Sequence, residues 1–233
     1  MESYEALLAT IALTMGASWA SGINLYAALL VLGVGGASGH IDLPPALQVL
    51  QDPLVMMAAG VMYFTEFFVD KTPGVDSTWD ALHTFIRIPA GAMLAAGAVG
   101  DVTPALEIAA GIMGGGLAAT SHFTKAGSRA IINTSPEPFS NWGASFAEDF
   151  LVLAGLWTAL NHPVLFLIFL TIFILFVIWM LPKIYRAIKM IINKIQQLFS
   201  GNNENKTPLF DIEPSIKLGD NGLEKTQDAS KGP

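Results

Sequence analysis

The chain contains no cysteine. That excludes disulfides and Cys-ligated metal or haem sites, and leaves the compartment open. Charge is also scarce. Only 13% of residues are Asp, Glu, Lys or Arg, about half the share of roughly a quarter found in soluble domains. Basic residues are rarer still: between residues 1 and 181 the Lys and Arg are Lys71, Arg87, Lys125 and Arg129. A water-soluble fold with so little charge over that length would precipitate, so a membrane protein is expected. The opening MESYEALLAT has no basic stretch before the first apolar run, so that run is expected to stay as a span and not to be cleaved. The net charge of −7 comes largely from loops and gives no reason to expect nucleic acid as a partner.

What is abundant is apolar sequence: 52% of the 233 residues, with a mean hydropathy of +0.52. A helix needs about 20 apolar residues to cross a core of about 30 Å. On that basis the chain reads as an all-α, polytopic membrane helical bundle of about six spans. The first, Tyr4 to Gly36, is long and interrupted by GASWASG, so it crosses once as a broken helix or twice as half-helices. A loop, residues 37–52, precedes the second span at Pro53 to Val69 and the third at Ser77 to Val99. The fourth, Ala105 to Ile132, is again long and is expected to break at Gly114 to Gly116. Phe139 to Leu160 is the fifth, and Pro163 to Leu181, with Thr171 as its polar residue, is the sixth. Spans two to five are rich in Gly and Ala, which lets helix backbones approach closely, so they belong inside the bundle with the sixth at its lipid-facing edge.

One stretch organises the rest. VDKTPGVDSTWDALHTFIR, from Val69, returns 63 positions later as INTSPEPFSNWGASFAEDF, from Ile132. Pro73 meets Pro136, Ser77 meets Ser140, Trp79 meets Trp142, Ala81 meets Ala144, and Asp70 falls on Asn133. This is the pattern of an internal repeat of a helical hairpin. After residue 181 the segment 182–199 alternates Ile and Leu with Lys183, Arg186, Lys189 and Lys194, a basic amphipathic helix suited to anionic lipid. Residues 200–233 are polar and aperiodic, and read as a disordered cytoplasmic tail. With the C-terminus in the cytoplasm and six spans counted back, every Lys and Arg in the connecting loops lies on the cytoplasmic side. The opposite loops hold only His40, Asp42, Asp52, Asp101 and His162.

Depth decides which charges matter. Arg87 lies about 15 Å along a helix that begins at Ser77, and Glu148 and Asp149 lie about 12–14 Å along the fifth span. His122, Lys125 and Arg129 recur at helical spacing, and Glu66 and Asp70 are four apart. A polar layer of Glu66, Asp70, Asp80, His83, Arg87, His122, Lys125, Arg129, Glu148 and Asp149 is therefore expected near the membrane centre. Charges there are costly and persist only if paired or wet. Bland roles compete. Asp80 suits a capping box with Ser77, and Lys125 and Arg129 can snorkel to headgroups. Trp79 and Trp142 suit interface anchors, Arg87–Asp149 or Glu66–Arg129 suit static bridges, and Arg87 is expected to meet Asp149 or Glu148 across the bundle. His83 and His122 lack metal-ligand spacing, so no metal and no cofactor are expected. The glycine-rich breaks point to a transport site lined by Ser18, Ser21, Asn24, Thr120 and Ser121. WASG lacks the first glycine of a serine-protease-like motif, and GAVGD falls in a loop, so an enzyme is not expected.

GASWASGINLYAALLVLG, FVDKTPGVDSTWDALHTFIRIPAGA and KAGSRAIINTSPEPFSNWGASFAED together resemble a bacterial integral membrane family known as domain of unknown function 4126. The resemblance covers residues 10–160 and implies a helical bundle in the bacterial inner membrane. It implies no activity, substrate or catalytic residue. The functional expectation is a transporter or channel for a small ion or polar solute that uses the polar layer. The alternative is a non-transporting membrane protein that binds lipid or scaffolds a partner. Expected partners are the bilayer, anionic lipid at the basic helix, the solute and a further copy of the chain.

Overall fold

The computed structural model describes residues 2–72, 74–100, 102–134 and 138–200. Among them are six α-helices, one 3-10 helix and no strand. The helices are α1 (Glu2–Ala37), α2 (Pro53–Val69), α3 (Val75–Ala98), α4 (Pro104–Ile132), α5 (Pro138–Asn161) and α6 (Pro163–Ser200). The 3-10 helix, Pro45–Gln51, sits in the loop between α1 and α2. Proline opens α2, α4, α5 and α6, as suits a first-turn position where the missing N–H would have had no partner. The chain divides into two units, residues 1–183 and 184–233. In the second, residues 184–200 are helical, and Arg186, Lys189, Met190, Ile192 and Asn193 are exposed. The tail, residues 201–233, lies outside the described residues.

Polarity in the first unit is inverted relative to a soluble protein. Phe85 is 82% exposed, Met93 74% and Phe150 70%, while Arg87 and Arg129 are wholly buried. Water would not tolerate that arrangement and lipid does. Three helical stretches are long and apolar enough to cross a membrane: Ser3–Ala37, Phe139–Asn161 and Pro163–Lys183. A fourth is added if Pro45–Gln51 and Pro53–Val69, bent by 67°, count as one span. Helices α3 and α4 have the length of spans, at 24 and 29 residues. What lowers their hydropathy is the charge they carry inward: Asp76, Asp80 and Arg87 on α3, Lys125 and Arg129 on α4. The protein is a membrane protein built as a helical bundle.

Helix α1 is the central element and packs against α2, α3, α4, α5 and the 3-10 helix. Ala12, Trp19, Ala20 and Ile23 face Leu117, Val152, Leu156, Phe166 and Leu170. Leu13, Ala17, Leu25 and Leu32 face Leu43, Leu47, Leu50 and Leu94. A third strip is hydroxylic. Ser18 donates to the Gly91 carbonyl at 3.0 Å, Ser21 donates to the Arg87 carbonyl at 2.9 Å, and Ser121 of α4 donates back to the Trp19 carbonyl at 2.9 Å. Such bonds join helices where lipid supplies no hydrophobic drive. Gly22 sits where a Cβ would strike the Ala118 carbonyl and the His122 amide, so only glycine lets α1 and α4 approach this closely.

The breaks differ from the sequence expectation. Helix α4 runs through Gly114–Gly116 without interruption. A Cβ at Gly114 would meet Ala95 of α3 and Ser18 of α1, so this glycine serves close packing. Helix α1 does break, but at Asn24 (φ −144°, ψ 94°) and not within Gly16–Gly22. Asn24 acts there as an N-cap: its Oδ1 accepts the Ala27 amide at 3.0 Å, three residues on. Helix α6, as expected, lies at the edge. It reaches the bundle through long side chains, with Phe166 and Phe173 each edge-on to Trp19 at 6.2 Å.

The hairpins α2–α3 and α4–α5 repeat at their turns. Asp70 caps α2 and Asn133 caps α4, both in helical backbone geometry. Each cap amide donates to the carbonyls four and two residues earlier, Glu66 and Phe68 in one, Arg129 and Ile131 in the other. The 63-residue register therefore places Glu66 and Arg129 at equivalent positions, one turn before the cap.

Candidate functional site: a buried charge layer beside a lateral cleft

Four helices deliver one charge cluster. Helix α2 brings Glu66 and its cap Asp70, α3 brings Asp80 and Arg87, α4 brings His122, Lys125 and Arg129, and α5 brings Glu148. Spacing by three or four residues puts each set on the inward face. Lys125 Nζ sits among four carboxylates, 2.9 Å from Asp70 Oδ2, 3.2 Å from Glu66 Oε1, 3.4 Å from Glu148 Oε2 and 3.8 Å from Asp80 Oδ1. Arg87 holds Glu66 at 2.6 Å and Asp80 at 2.9 Å. Arg129 forks onto Glu148, with Nε at 2.9 Å from Oε1 and Nη2 at 2.7 Å from Oε2, and its Nη1 donates to the Asp70 carbonyl at 2.9 Å. The two-pronged guanidinium geometry fixes orientation as well as charge.

The histidines extend this network. Thr84 donates its hydroxyl proton to the Asp80 carbonyl, so the 2.7 Å contact with His122 Nε2 is a bond donated by the ring. That leaves His122 Nδ1 as an acceptor for Arg87 Nη1 at 3.3 Å. His83 has the opposite tautomer. Its Nδ1 donates to the Trp79 carbonyl at 2.9 Å, and its Nε2 accepts from the Tyr26 hydroxyl at 3.1 Å. His83 also stacks on Trp79 at 4.2 Å. It flanks the cluster without touching it. Asp149 flanks it too, accepting from Asn24 Nδ2 at 2.9 Å.

Several sequence expectations are corrected here. Arg87 meets Glu66 and Asp80, not Asp149 or Glu148, because Glu66 on α2 reaches it first. Glu66 binds Arg87 and Lys125, not Arg129. Asp80 is not a cap, because α3 begins at Val75 and Asp76 takes the Gly74 and Ser77 amides. Lys125 and Arg129 do not snorkel; their side chains are at most 1% exposed. Of the residues expected to line broken helices, Ser18, Ser21 and Ser121 bond across helices and Asn24 forms the break itself. Thr120 donates to its own helix at Gly116. Trp142 is 51% exposed, and Trp79 lies half-buried against His83.

Asp76 and Asn141 are among the buried polar residues that escaped the sequence reading. Asp76 is wholly buried and accepts both prongs of a contact from Asn133 Nδ2, each at 3.0 Å. Asn141 donates to Asn133 at 2.7 Å, and its carbonyl accepts from Arg129. Both lie in the repeated turn, where the 63-residue register marks the segment but not which polar side chain turns inward. In the first turn, Lys71 lies 3.0 Å over the Phe67 ring, and burial pushes its ammonium below the usual lysine range against the pull of Asp149 and Asp70.

Glu66, Asp70, Asp80 and Glu148 face Arg87, Lys125 and Arg129, one carboxylate more than the cations. Glu66 Oε2, Asp70 Oδ1 and Asp80 Oδ2 are buried without a hydrogen-bond partner. Among the described residues no group of His, Asp or Glu is arranged to hold a metal ion.

Beside the layer is a cleft of about 500 Å³ between α1, α4, α5 and α6, within the usual range of about 300–1,000 Å³ for small-molecule sites. Trp19, Ile23, Leu151, Phe166, Phe169, Leu170 and Phe173 form its apolar wall, while Lys125, Ser128 and Glu148 close one end. From Glu148 to Thr158 the α5 wall rises about 15 Å. Glu148, 12% exposed, is the most accessible charged side chain of the cluster. The sequence did not point to this cleft, because it depends on α6 standing off its neighbours. No curated protein and no solved structure matches the chain. Residues 11–183 match the family described as Domain of unknown function (DUF4126), which takes in every helix that contributes to the layer and the cleft; the chain belongs to that family.

Proposed function

We propose that this is a multi-pass protein of a bacterial cytoplasmic membrane that takes a small amphipathic molecule from the bilayer into the cleft beside the charge layer. The cleft carries this reading: an apolar, aromatic wall facing lipid, with charge at one end only. An amphiphile matches both parts at once, since its apolar body replaces lipid against Phe166, Phe169 and Phe173 while its head reaches Glu148. Binding energy comes from the buried apolar area and orientation from the few polar groups. No catalytic step belongs to this reading. The clustering of Lys and Arg supports a cytoplasmic C-terminus, with the basic segment 182–199 resting on anionic lipid.

Transport of a small ion or polar solute is the second reading, favoured by the break in α1. Asn24 starts a new half-helix beside Asp149 at the level of the layer, and interrupted helices at mid-depth are a mark of transport sites. A solute path would have to pass Arg87, whose side chain is wholly buried between Glu66 and Asp80. The cleft needs no such opening, so the first reading is preferred.

Photo-crosslinking tests it. A long-chain amphiphile with a diazirine in mid-chain should label Leu151, Phe169 or Phe173 at saturable occupancy. Ala154→Phe, which places a ring in the cleft from α5, should remove that label. Equal labelling of every lipid-facing helix, unchanged in Ala154→Phe, would contradict the reading.

A further inference from the structure

The lining of the cleft has a chemical sign. Each hydroxyl on it has already given its single proton to a helix carbonyl: Thr124 to Thr120 at 2.8 Å, Ser128 to Lys125 at 2.7 Å, Thr158 to Ala154 at 2.6 Å and Ser121 to Trp19 at 2.9 Å. What a hydroxyl offers after that is lone pairs. As bonded, these side chains offer a ligand lone pairs and not protons.

The charged end has the same character. Lys125 lines the cleft, but its side chain is 1% exposed and its ammonium is shared among four carboxylates, so it has no donor to spare for an anion. Glu148 is the member that reaches accessible space, and its two oxygens keep lone pairs beyond the two bonds from Arg129. Behind it the layer holds one carboxylate more than it has cations, with three carboxylate oxygens lacking partners. An anionic head would stand against the Glu148 carboxylate, the one that reaches the cleft. A cationic head would pair with that carboxylate instead.

We infer that the cleft selects a hydrophobic ammonium, an alkyl- or arylamine in its protonated form, with its head at Glu148 and its body along α6. The inference rests on the amphiphile reading and narrows it to one charge class. Glu148 is then the residue that chooses the head, and the acceptor-only hydroxyls of Thr124 and Ser128 are auxiliary contacts.

The test uses the full chain in phosphatidylcholine nanodiscs at pH 7, with empty nanodiscs to subtract partitioning. Equilibrium binding is measured for decylamine, decanoate and decanol, which share one chain and differ in head charge. Decylamine is expected to bind saturably and at least about tenfold more tightly than decanoate, the scale of a charge-assisted hydrogen bond. Glu148→Gln should weaken decylamine by about tenfold or more and leave decanol unchanged, which a general loss of structure would not do. Ala154→Phe should weaken all three. Decanoate binding as tightly as decylamine, or Glu148→Gln weakening decylamine and decanol alike, would overturn the inference and leave the amphiphile reading standing. No saturable binding of any probe would overturn both. Should Glu148→Gln fail to fold, the ratio of decylamine to decanoate on the unaltered chain still decides.

Discussion

Arg87 Nη2 lies 2.6 Å from Glu66 Oε1, and neither side chain has any exposed surface. A bond so placed adds little over a well-packed apolar pair, but breaking it leaves a charge stranded in low dielectric. Arg87→Ala leaves Glu66 and Asp80 with Lys125 as their remaining cation and should cost about 3–5 kcal/mol. The exposed Glu107→Ala should change stability by no more than about 0.5 kcal/mol. Thermal unfolding in detergent measures both. Similar midpoints for the two variants would mean that water or detergent reaches the layer.

Asp76 and Asn133 tie the two hairpins across the repeated turn, with both carboxylate oxygens 3.0 Å from the same amide nitrogen. Asn133→Asp would set carboxylate against carboxylate and lose a buried donor, at about 1–3 kcal/mol. Exchanging the residues, Asp76→Asn with Asn133→Asp, restores a donor facing an acceptor and should recover most of the loss. A double variant no better than Asn133→Asp alone would show that the backbone amides held by Asp76 matter more than the bridge.

Asn24 both caps the second half of α1 and binds Asp149. Asn24→Ala removes the cap, at about 1 kcal/mol, and leaves Asp149 without that donor. The kink should relax. Spin labels at Thr10 and Val34, on either side of the break, should move apart in Asn24→Ala. An unchanged distance would mean that packing, not the cap, holds the bend.

Much of this was legible from residues whose chemistry is costly in a membrane. Arg87, Lys125, Arg129, Glu66 and Glu148 stood out because lipid forbids them unless they meet, and they do meet. Helix ends were legible because proline and glycine mark them: Pro53–Val69 is where the apolar run placed it. The partners were not legible. Helical spacing gives the face a residue takes but not which of three inward helices lies opposite, so Arg87 was paired with Asp149 when Glu66 was nearer. Glycine runs misled for a related reason. In Gly114–Gly116 the missing side chains make room for α3, a tertiary fact that the local sequence shares with a helix break.

Topology is checkable by thiol labelling. With a cytoplasmic C-terminus, Cys at Thr72 or Thr134, both exposed in the repeated turns, should be shielded from impermeant reagents in intact cells. Cys at the exposed Asp42 should label. Labelling at Thr134 from outside would reverse the orientation.

The most direct measurement is a cryo-electron microscopy structure of the protein in lipid nanodiscs containing decylamine. An elongated density should lie between α4, α5 and α6, with its body along Phe166 and Phe173 and one end within hydrogen-bond reach of Glu148. A cleft closed by α6 packing onto α5, or a continuous water path past Arg87, would contradict the account.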